Sequence, residues 1–423
     1  MGNCPPEKAA CLVGLALKIQ QKKVYVLGAG FSHEGGLPLQ REILDRLRQF
    51  NVERANAPEA ALNEFRRSRA TLFDFLDRVF SSARSPSLED VFTLLDYTIS
   101  RREYCAGHPW TELEQIRSAL NIALVFLFCH ATNNLARRSE ALYRSIAAYF
   151  LQERLKAGQA GDPFSIIALN WDTLLENSIC WCLREVGGLR KVDIDYCCYT
   201  TPLDGSSPHT PSILQKARGL FNLKLIKLHG SANWLVCPNC NRLYTGIGGN
   251  EEREHVYSMP QYCARCIPVR SPGMIGVGPI SPRLGPFLIT PTYLKVFDSP
   301  HIQMTWHNAY VDLAEASEVV FIGYSFPEAD YHFRTLLRRA IRSDTDIVAV
   351  LVDTDEPKRN VPRIIRSAYA AVRYRLFFGE DRVMFKFGGT KAFLTGLGGR
   401  TRLPDCLQYV RARLRHHKTK ELR

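Results

Sequence analysis

Two cysteine pairs constrain this chain more than any other feature. Cys237-Pro238-Asn239-Cys240 and Cys263-Ala264-Arg265-Cys266 are CxxC knuckles separated by 22 residues. Each knuckle can bring two thiolates onto one ion, and two knuckles complete a tetrahedral site. Four ligands leave no position open for a substrate, so Cys237, Cys240, Cys263 and Cys266 are expected to hold a structural zinc. The stretch from 237 to 285 is Gly-rich and has too few core residues to fold unaided, which marks it as a metal-held module. The alternatives are chance placement of the pairs and a redox CxxC. The redox reading is the weaker, because neither pair opens a helix.

The remaining cysteines fit a reducing compartment. The chain has 13 of them, and its first residues lack the basic segment followed by an apolar one that marks export. Reduced thiols in the cytoplasm are therefore expected, since disulfides are rare there. The longest apolar run, 122–129, falls short of the roughly 18 to 20 residues that span a bilayer, so no membrane partner is expected. The opening Met1-Gly2-Asn3-Cys4 resembles a lipidated terminus, but Pro6 stands where that pattern wants Ser or Thr. Lys and Arg number 55 against 42 Asp and Glu, a net charge of +13, with a basic stretch at 411–420. A solvated basic surface and contact with nucleic acid both fit that balance.

Hydrophobic patterning predicts an α/β chain. Short buried strands are expected at 23–28, 164–169, 223–229, 287–290, 318–322 and 347–352, with helices from about 172 and near 302–316 and 329–341. Such alternation implies a Rossmann-like doubly wound parallel sheet. Between 39 and 153 strand signal is almost absent and apolar residues recur at helical spacing, so this is a large helical insertion. The expected organisation is the start of a Rossmann-like domain at 1–38, the insertion at 39–160, the domain continued at 161–236, a zinc-binding module at 237–285, the domain again at 286–375, and a basic C-terminal segment at 376–423.

Polar clusters sit where strands end. Gly28-Ala29-Gly30-Phe31-Ser32 follows the first strand; its small residues would let backbone N–H groups approach a pyrophosphate, although it lacks the three spaced glycines of the full dinucleotide fingerprint. An ordinary tight turn is the competing reading. Asn170-Trp171-Asp172, His229-Gly230-Ser231 and Gly323-Tyr324-Ser325 close three further strands. In open parallel sheets ligands bind at the carboxyl ends of strands, so these clusters are expected to face one crevice. Taken singly, Asn170 or Asp172 reads equally as a helix cap, Ser325 as a turn residue and His229 as a satisfied core histidine.

In this order the motifs resemble the sirtuin superfamily. The match runs from Gly28-Ala29-Gly30-Phe31-Ser32 with Gly36-Leu37-Pro38, through Asn170-Trp171-Asp172 and Leu228-His229-Gly230, to the cysteine quartet and Gly323-Tyr324-Ser325. The resemblance implies NAD and zinc as cofactors. It implies that Gly28, Ala29, Gly30 and Ser32 cradle the pyrophosphate, that Asn170 and Asp172 hold the nicotinamide ribose and carboxamide, and that Gly323 and Ser325 lie at the phosphates. Asp353 would hold the adenosine ribose. His229 would be the catalytic base, with Asn170 orienting the ribose or the attacking water.

Departures from the family bear on the reaction. Protein deacylases follow Gly-Ile-Pro with Asp-Phe-Arg, whose aromatic shields the ribose; here Leu39-Gln40-Arg41 follows. The family's Thr-Gln-Asn step is Ala168-Leu169-Asn170 here. With the helical insertion and Gly323-Tyr324-Ser325-Phe326-Pro327, the chain is more similar to the sirtuin-like domains of bacterial proteins that hydrolyse NAD, often in anti-phage defence. The implied activity is NAD glycohydrolase, giving nicotinamide and ADP-ribose. The intact cysteine quartet is a deacylase feature and keeps NAD-dependent deacylation or ADP-ribosyl transfer as the alternative, with a non-catalytic NAD or ADP-ribose sensor as a third. NAD is the expected substrate partner; a homo-oligomer and an activating protein or nucleic acid are compatible with the basic surface and with regulated enzymes of this kind.

Overall fold

The first strand, β1 (Lys22–Leu27), places Val24 and Val26 on one face and Tyr25 and Leu27 on the other, all buried. A strand apolar on both faces requires cover on both, which is the situation of a parallel sheet between helical layers. The computed structural model describes residues 22–80, 86–189, 191–203, 220–246, 258–263, 265–266, 282–289, 299–352, 369–397 and 402–416. After β1 come a short helix α1 (Ala29–His33) and then α2 (Ile43–Gln49), α3 (Glu59–Val79), α4 (Leu88–Arg101), α5 (Trp110–Asn133) and α6 (Arg137–Lys156). The chain continues through β2 (Phe164–Ala168), α7 (Leu174–Glu185), β3 (Val192–Asp195), β4 (Thr201–Pro202), β5 (Phe221–Lys227), β6 (Gly230–Val236), β7 (Leu243–Thr245) and β8 (Gly285–Leu288). It ends with α8 (Pro300–Glu315), β9 (Ala316–Ile322), α9 (Tyr331–Ala340), β10 (Asp346–Leu351), α10 (Ala370–Phe378), β11 (Val383–Phe387), α11 (Gly389–Gly396) and α12 (Leu403–His416).

Seven strands form one sheet in the order β11-β10-β9-β1-β2-β5-β3, and every neighbouring pair is parallel. This is the Rossmann-like doubly wound sheet that the patterning implied. From β1 the chain passes to β2, then to the edge strand β3, returns to place β5 between them, and later crosses to lay β9 on the opposite side of β1. The order therefore reverses between β1 and β9, and the crevice at a doubly wound sheet's ligand position opens above the carboxyl ends of those two strands. The alternation seen in β1 recurs in β9, where Val319 and Phe321 join one core and Val320 and Ile322 the other.

A second sheet, β4-β7-β6-β8, carries the cysteine module. Here the structure corrects one expectation: the strand foreseen at 287–290 is β8, which pairs antiparallel with β6 and is no part of the parallel sheet. A short apolar run suggests a strand without saying which sheet it joins, and in β8 only Leu288 is fully buried. Likewise β11 pairs with β10 at residues 383–387, so the main sheet reaches into the stretch that composition set apart as a basic tail.

Apart from an isolated β-bridge between Cys105 and His108, the regular elements of the insertion among its described residues are helices, with Phe65 stacked on Phe126 at 4.3 Å between ring centroids and Phe50 edge-on to both. Its central helix α5 is 24 residues long and, by length and hydropathy, apolar enough to cross a membrane, yet 67% of its apolar window is buried inside the protein. That is the setting of a core helix. A cavity of about 220 Å³ lies between Ser118 and Ile122 of α5 and Val236, Pro238, Met259 and Arg283 beside the cysteine module; no strand-end cluster residue lines it.

Below the sheet, ion pairs tie β1 and β5 to α8. The Lys22 ammonium is only 6% exposed and meets Asp312, Asp162 at 2.9 Å and Glu315 at 3.1 Å, while Lys224 meets Asp162 at 2.6 Å and Asp312 at 3.2 Å. Burial alone would lower the Lys22 pKa, but the Asp312 and Asp162 charges outweigh it and raise it. Removing one partner of such a cluster strands buried charge. Lys22→Met is expected to cost about 3 kcal/mol of unfolding free energy, read as a lower denaturation midpoint in urea; an unchanged midpoint would show that Lys224 alone satisfies Asp312.

Candidate active site

The carboxyl ends of β9, β1, β2 and β5 are neighbours, and the four polar clusters come together there. The turn after β1 is built on backbone contact. Gly28 N–H donates to the Ile322 carbonyl at 3.0 Å and Gly30 N–H to the Gly323 carbonyl at 2.8 Å. A Cβ at Gly28 would lie 2.5 Å from Tyr324 Cα, and one at Gly323, whose φ is +63°, would lie 2.0 Å from the Phe31 nitrogen. Glycine is thus demanded at 28 and 323 by the close approach of two main chains. The N–H groups of Gly28 and Gly30, expected to meet a pyrophosphate, are already donated inside the protein. Ala29 is the exposed residue of the turn, and Ser32 is buried.

Asn170 fastens that turn to β2: its amide nitrogen donates to the Gly28 carbonyl at 2.9 Å and to Ser32 Oγ at 3.0 Å. Asp172 is buried, and one of its carboxylate oxygens accepts the N–H of Leu174, the first residue of α7, at 3.1 Å. Thr173 holds the N-cap position without a side-chain bond, so Asp172 leads into the helix through an Asx turn and is not its cap. The Asp172 carbonyl accepts from the Lys227 ammonium at 2.6 Å, and Lys227 pairs with Glu176 at 3.1 Å; both side chains are almost fully buried. Burial pushes the Glu176 carboxyl up, with Lys227 pulling it the other way. Lys227 and Glu176 therefore anchor the loop that carries Asn170. The sequence signal was available: a lysine in the apolar run Leu225-Ile226-Lys227-Leu228 must find a buried partner.

His229 is 8% exposed and its backbone is held on both sides, the Trp306 indole donating to the Leu228 carbonyl at 3.0 Å and Ile289 N–H to the His229 carbonyl at 2.8 Å. Its Nδ1 lies 3.1 Å from the Leu169 carbonyl. A carbonyl only accepts, so Nδ1 carries the hydrogen and Nε2 holds the lone pair of the neutral ring. Nε2 lies 3.8 Å from Asp330 Oδ1. Asp330 is not among the residues that the sequence singles out; it falls within the helix expected near 329–341. Ser325 is exposed at the end of β9, its carbonyl accepting from Arg373 at 2.9 and 2.6 Å. Phe326 beside it is fully buried at a φ of +57°, a left-handed backbone that the surrounding rings hold. Asp353 lies outside the described residues.

Burial raises the carboxyl pKa of Glu89, in the first turn of α4, which is hydrogen-bonded to Gln40 and within electrostatic reach of Asp330. The insertion thus supplies part of the crevice rim, at Gln40, where the resemblance found no shielding aromatic.

The four cysteine sulfurs lie within 4.8 Å of one another, with Cys237 to Cys266 at 3.6 Å and Cys240 to Cys263 at 3.8 Å. A tetrahedron with Zn–S bonds of about 2.3 Å has S···S edges of about 3.8 Å. The donor set and spacing fit zinc, and all four positions are filled by protein, so Cys237, Cys240, Cys263 and Cys266 would hold it as a structural ion. Burial pushes the Cys263 thiol up, yet the hydrogen bond from the Tyr244 hydroxyl, at 3.1 Å, and the backbone N–H groups of Arg265 and Cys266 outweigh it and hold it at about 6.

No protein-family model matches the sequence, and no curated protein matches it. Among solved structures the chain is similar to a Sir2 homologue in complex with NAD, at 13% identity over 98% of this chain and 96% of that one, with a TM-score of 0.35. It is similar to a mutant Sir2 homologue in complex with 2′-O-acetyl ADP ribose, at 13% identity over 94% and 95% of the two chains and a TM-score of 0.37. A third is Sir2Tm bound to a propionylated peptide, at 13% identity over 93% and 97% and a TM-score of 0.33. Superpositions at such scores are loose, and the architecture described above stands on the chain's own strand pairings.

Replacing one zinc ligand tests the cysteine module. Cys240→Ser is expected to lower bound zinc and thermal stability together, because binding of a structural ion is part of the folding free energy; a stable, zinc-free variant would show that the module folds without metal.

Proposed function

We propose that this chain binds NAD across the β1/β9 crevice and hydrolyses the bond between nicotinamide and ribose. The observation that carries the reading is His229: a nearly buried imidazole at the end of β5, its tautomer set by the Leu169 carbonyl and its basic Nε2 facing a carboxylate, beside strand ends at the switch point of a doubly wound sheet. The sirtuin-like order of the motifs supports NAD as the nucleotide.

The chemistry is a substitution at the ribose anomeric carbon. The glycosidic bond breaks, nicotinamide leaves as a neutral molecule with the bonding electron pair, and positive charge develops on the ribose. A water oxygen bonds to that carbon and its proton passes to His229 Nε2, so NAD⁺ and water give nicotinamide, ADP-ribose and a proton. Asn170, its amide nitrogen committed to Gly28 and Ser32, offers its amide oxygen to the ribose or the water. Placement by these residues reduces the entropy cost of attack, while the leaving group is the nucleotide's own.

Water as nucleophile is favoured by Gln40 standing where deacylases carry a shielding aromatic and by an insertion whose Glu89 reaches the same rim. Hydrolysis of NAD in anti-phage defence, the setting of the bacterial domains that the chain resembles, belongs to this reading. The cysteine cluster favours a second one, transfer of ADP-ribose to an acyl-lysine or another protein acceptor.

Nicotinamide and ADP-ribose released from NAD by the purified protein, with and without an acetylated peptide, separate the two. Release without peptide is expected, and His229→Ala should reduce it by about 10²- to 10⁴-fold, the usual contribution of a general base, with zinc content unchanged. Release only with peptide would establish acyl transfer, and full activity in the variant would remove His229 from the reaction.

A further inference from the structure

We infer that Asp330 is the electrostatic partner of His229, held in place by the Tyr324 hydroxyl, and that it stabilises the imidazolium formed when Nε2 takes a proton. Asp330 is a positioning residue in this assignment, since it acts through His229. Its kinetic consequence rests on the NAD-cleaving reading; its effect on the histidine does not.

The carboxylate is placed for this task by what it does and by what it forgoes. Asp330 occupies the N-cap position of α9, where an aspartate ordinarily accepts a backbone N–H of the first helical turn, yet it makes no such bond. Instead Oδ2 accepts from the Tyr324 hydroxyl at 3.0 Å, and Oδ1 is the oxygen 3.8 Å from His229 Nε2. The Asp330 and His229 side chains are 12% and 11% exposed. Tyr324 is itself fixed, its ring buried against Phe321, Phe326 and Phe333 and its carbonyl accepting from the Tyr374 hydroxyl at 3.0 Å. The chain Tyr374–Tyr324–Asp330–His229 thus links the core beneath β9 to the base at the end of β5.

The 3.8 Å separation has a chemical reading. With Nδ1 donating to Leu169, the neutral ring turns a lone pair toward the carboxylate, and two acceptors do not form a hydrogen bond. Once Nε2 receives a proton, the same distance becomes an ion pair in a largely desolvated setting. Asp330 therefore favours the protonated histidine over the neutral one and so favours proton transfer from water.

Other charges around the pair act with or against it. Glu89 on α4 lies close enough to Asp330 to add to its negative field, and Arg334 on α9 lies near Tyr324 and opposes it. Behind β2 and β5, the Lys227–Glu176 pair is internally compensated, and Asp172 is engaged with the start of α7.

The test is histidine NMR of the full-length zinc-bound protein, with the His229 resonance identified by its loss in His229→Gln, combined with NAD turnover across pH. Asp330→Asn keeps the shape and the bond from Tyr324 while removing the charge. It is expected to move the His229 titration midpoint to lower pH and to reduce kcat on the order of ten- to a hundredfold with little change in KM, as befits loss of a charge beside the base. Tyr324→Phe should move both in the same direction by less, and Asp330→Glu should recover part of the midpoint shift. A His229 midpoint that is the same in wild type and in Asp330→Asn would overturn the assignment. If the wild-type protein does not cleave NAD, that result counts against the proposed reaction, and the titration arm alone decides the Asp330–His229 pairing.

Discussion

The site depends on the contact between two glycine turns. Gly28 and Gly30 at the end of β1 lie directly on Gly323 at the end of β9, with Gly30 N–H donated to the Gly323 carbonyl and no room for a Cβ at 28 or 323. This contact joins the halves of the sheet where the strand order reverses. It also sets the spacing of everything above it, because Asn170 is tied to the Gly28 carbonyl and the Tyr324 and Asp330 side chains follow directly from Gly323. A larger residue at either turn would part the strands at the position where a ligand has to sit.

Around that contact the strand-end loops are held from within. Lys227 reaches the Asp172 carbonyl, the Trp171 indole donates to the Ile289 carbonyl at 3.2 Å, and Ala232 N–H donates to the Trp171 carbonyl at 2.7 Å. The last two run between the loop after β2 of the parallel sheet and the small sheet that carries the cysteines. A metal-held module is thus coupled to the loop that bears Asn170, which gives a structural zinc a physical connection to the site without any part in the chemistry.

Much of the scaffold was legible because the central strands are buried on both faces. Runs such as Val24-Tyr25-Val26-Leu27 and Val319-Val320-Phe321-Ile322 have no other comfortable setting, and β1, β2, β5, β9 and β10 lie within two residues of where the patterning put them. What was missed has local causes. The run containing Phe287 and Leu288 reads as a parallel strand, since an apolar run does not disclose its partner; only Leu228 and His229 separate β5 from β6, and that continuity hides the second strand. In the site, His229 and Asn170 stand out by their place at strand ends, whereas Asp330 does not, because it falls inside the helix expected near 329–341 and only the structure shows its carboxylate turned to Tyr324 and His229. The glycines were noticed for a cradle, and the structure gives them a packing role first.

One crevice, above the carboxyl ends of β9, β1, β2 and β5, is the proposed seat of NAD. Amide hydrogen exchange with and without saturating NAD tests it directly, using His229→Ala to prevent turnover during labelling. Slowed exchange is expected only in the segments around Ala29–His33, Asn170 to Asp172, His229 to Ser231 and Gly323 to Phe326. Slowed exchange centred instead on the cavity beside Met259 and Arg283, or none in any of these segments at saturating NAD, would contradict it.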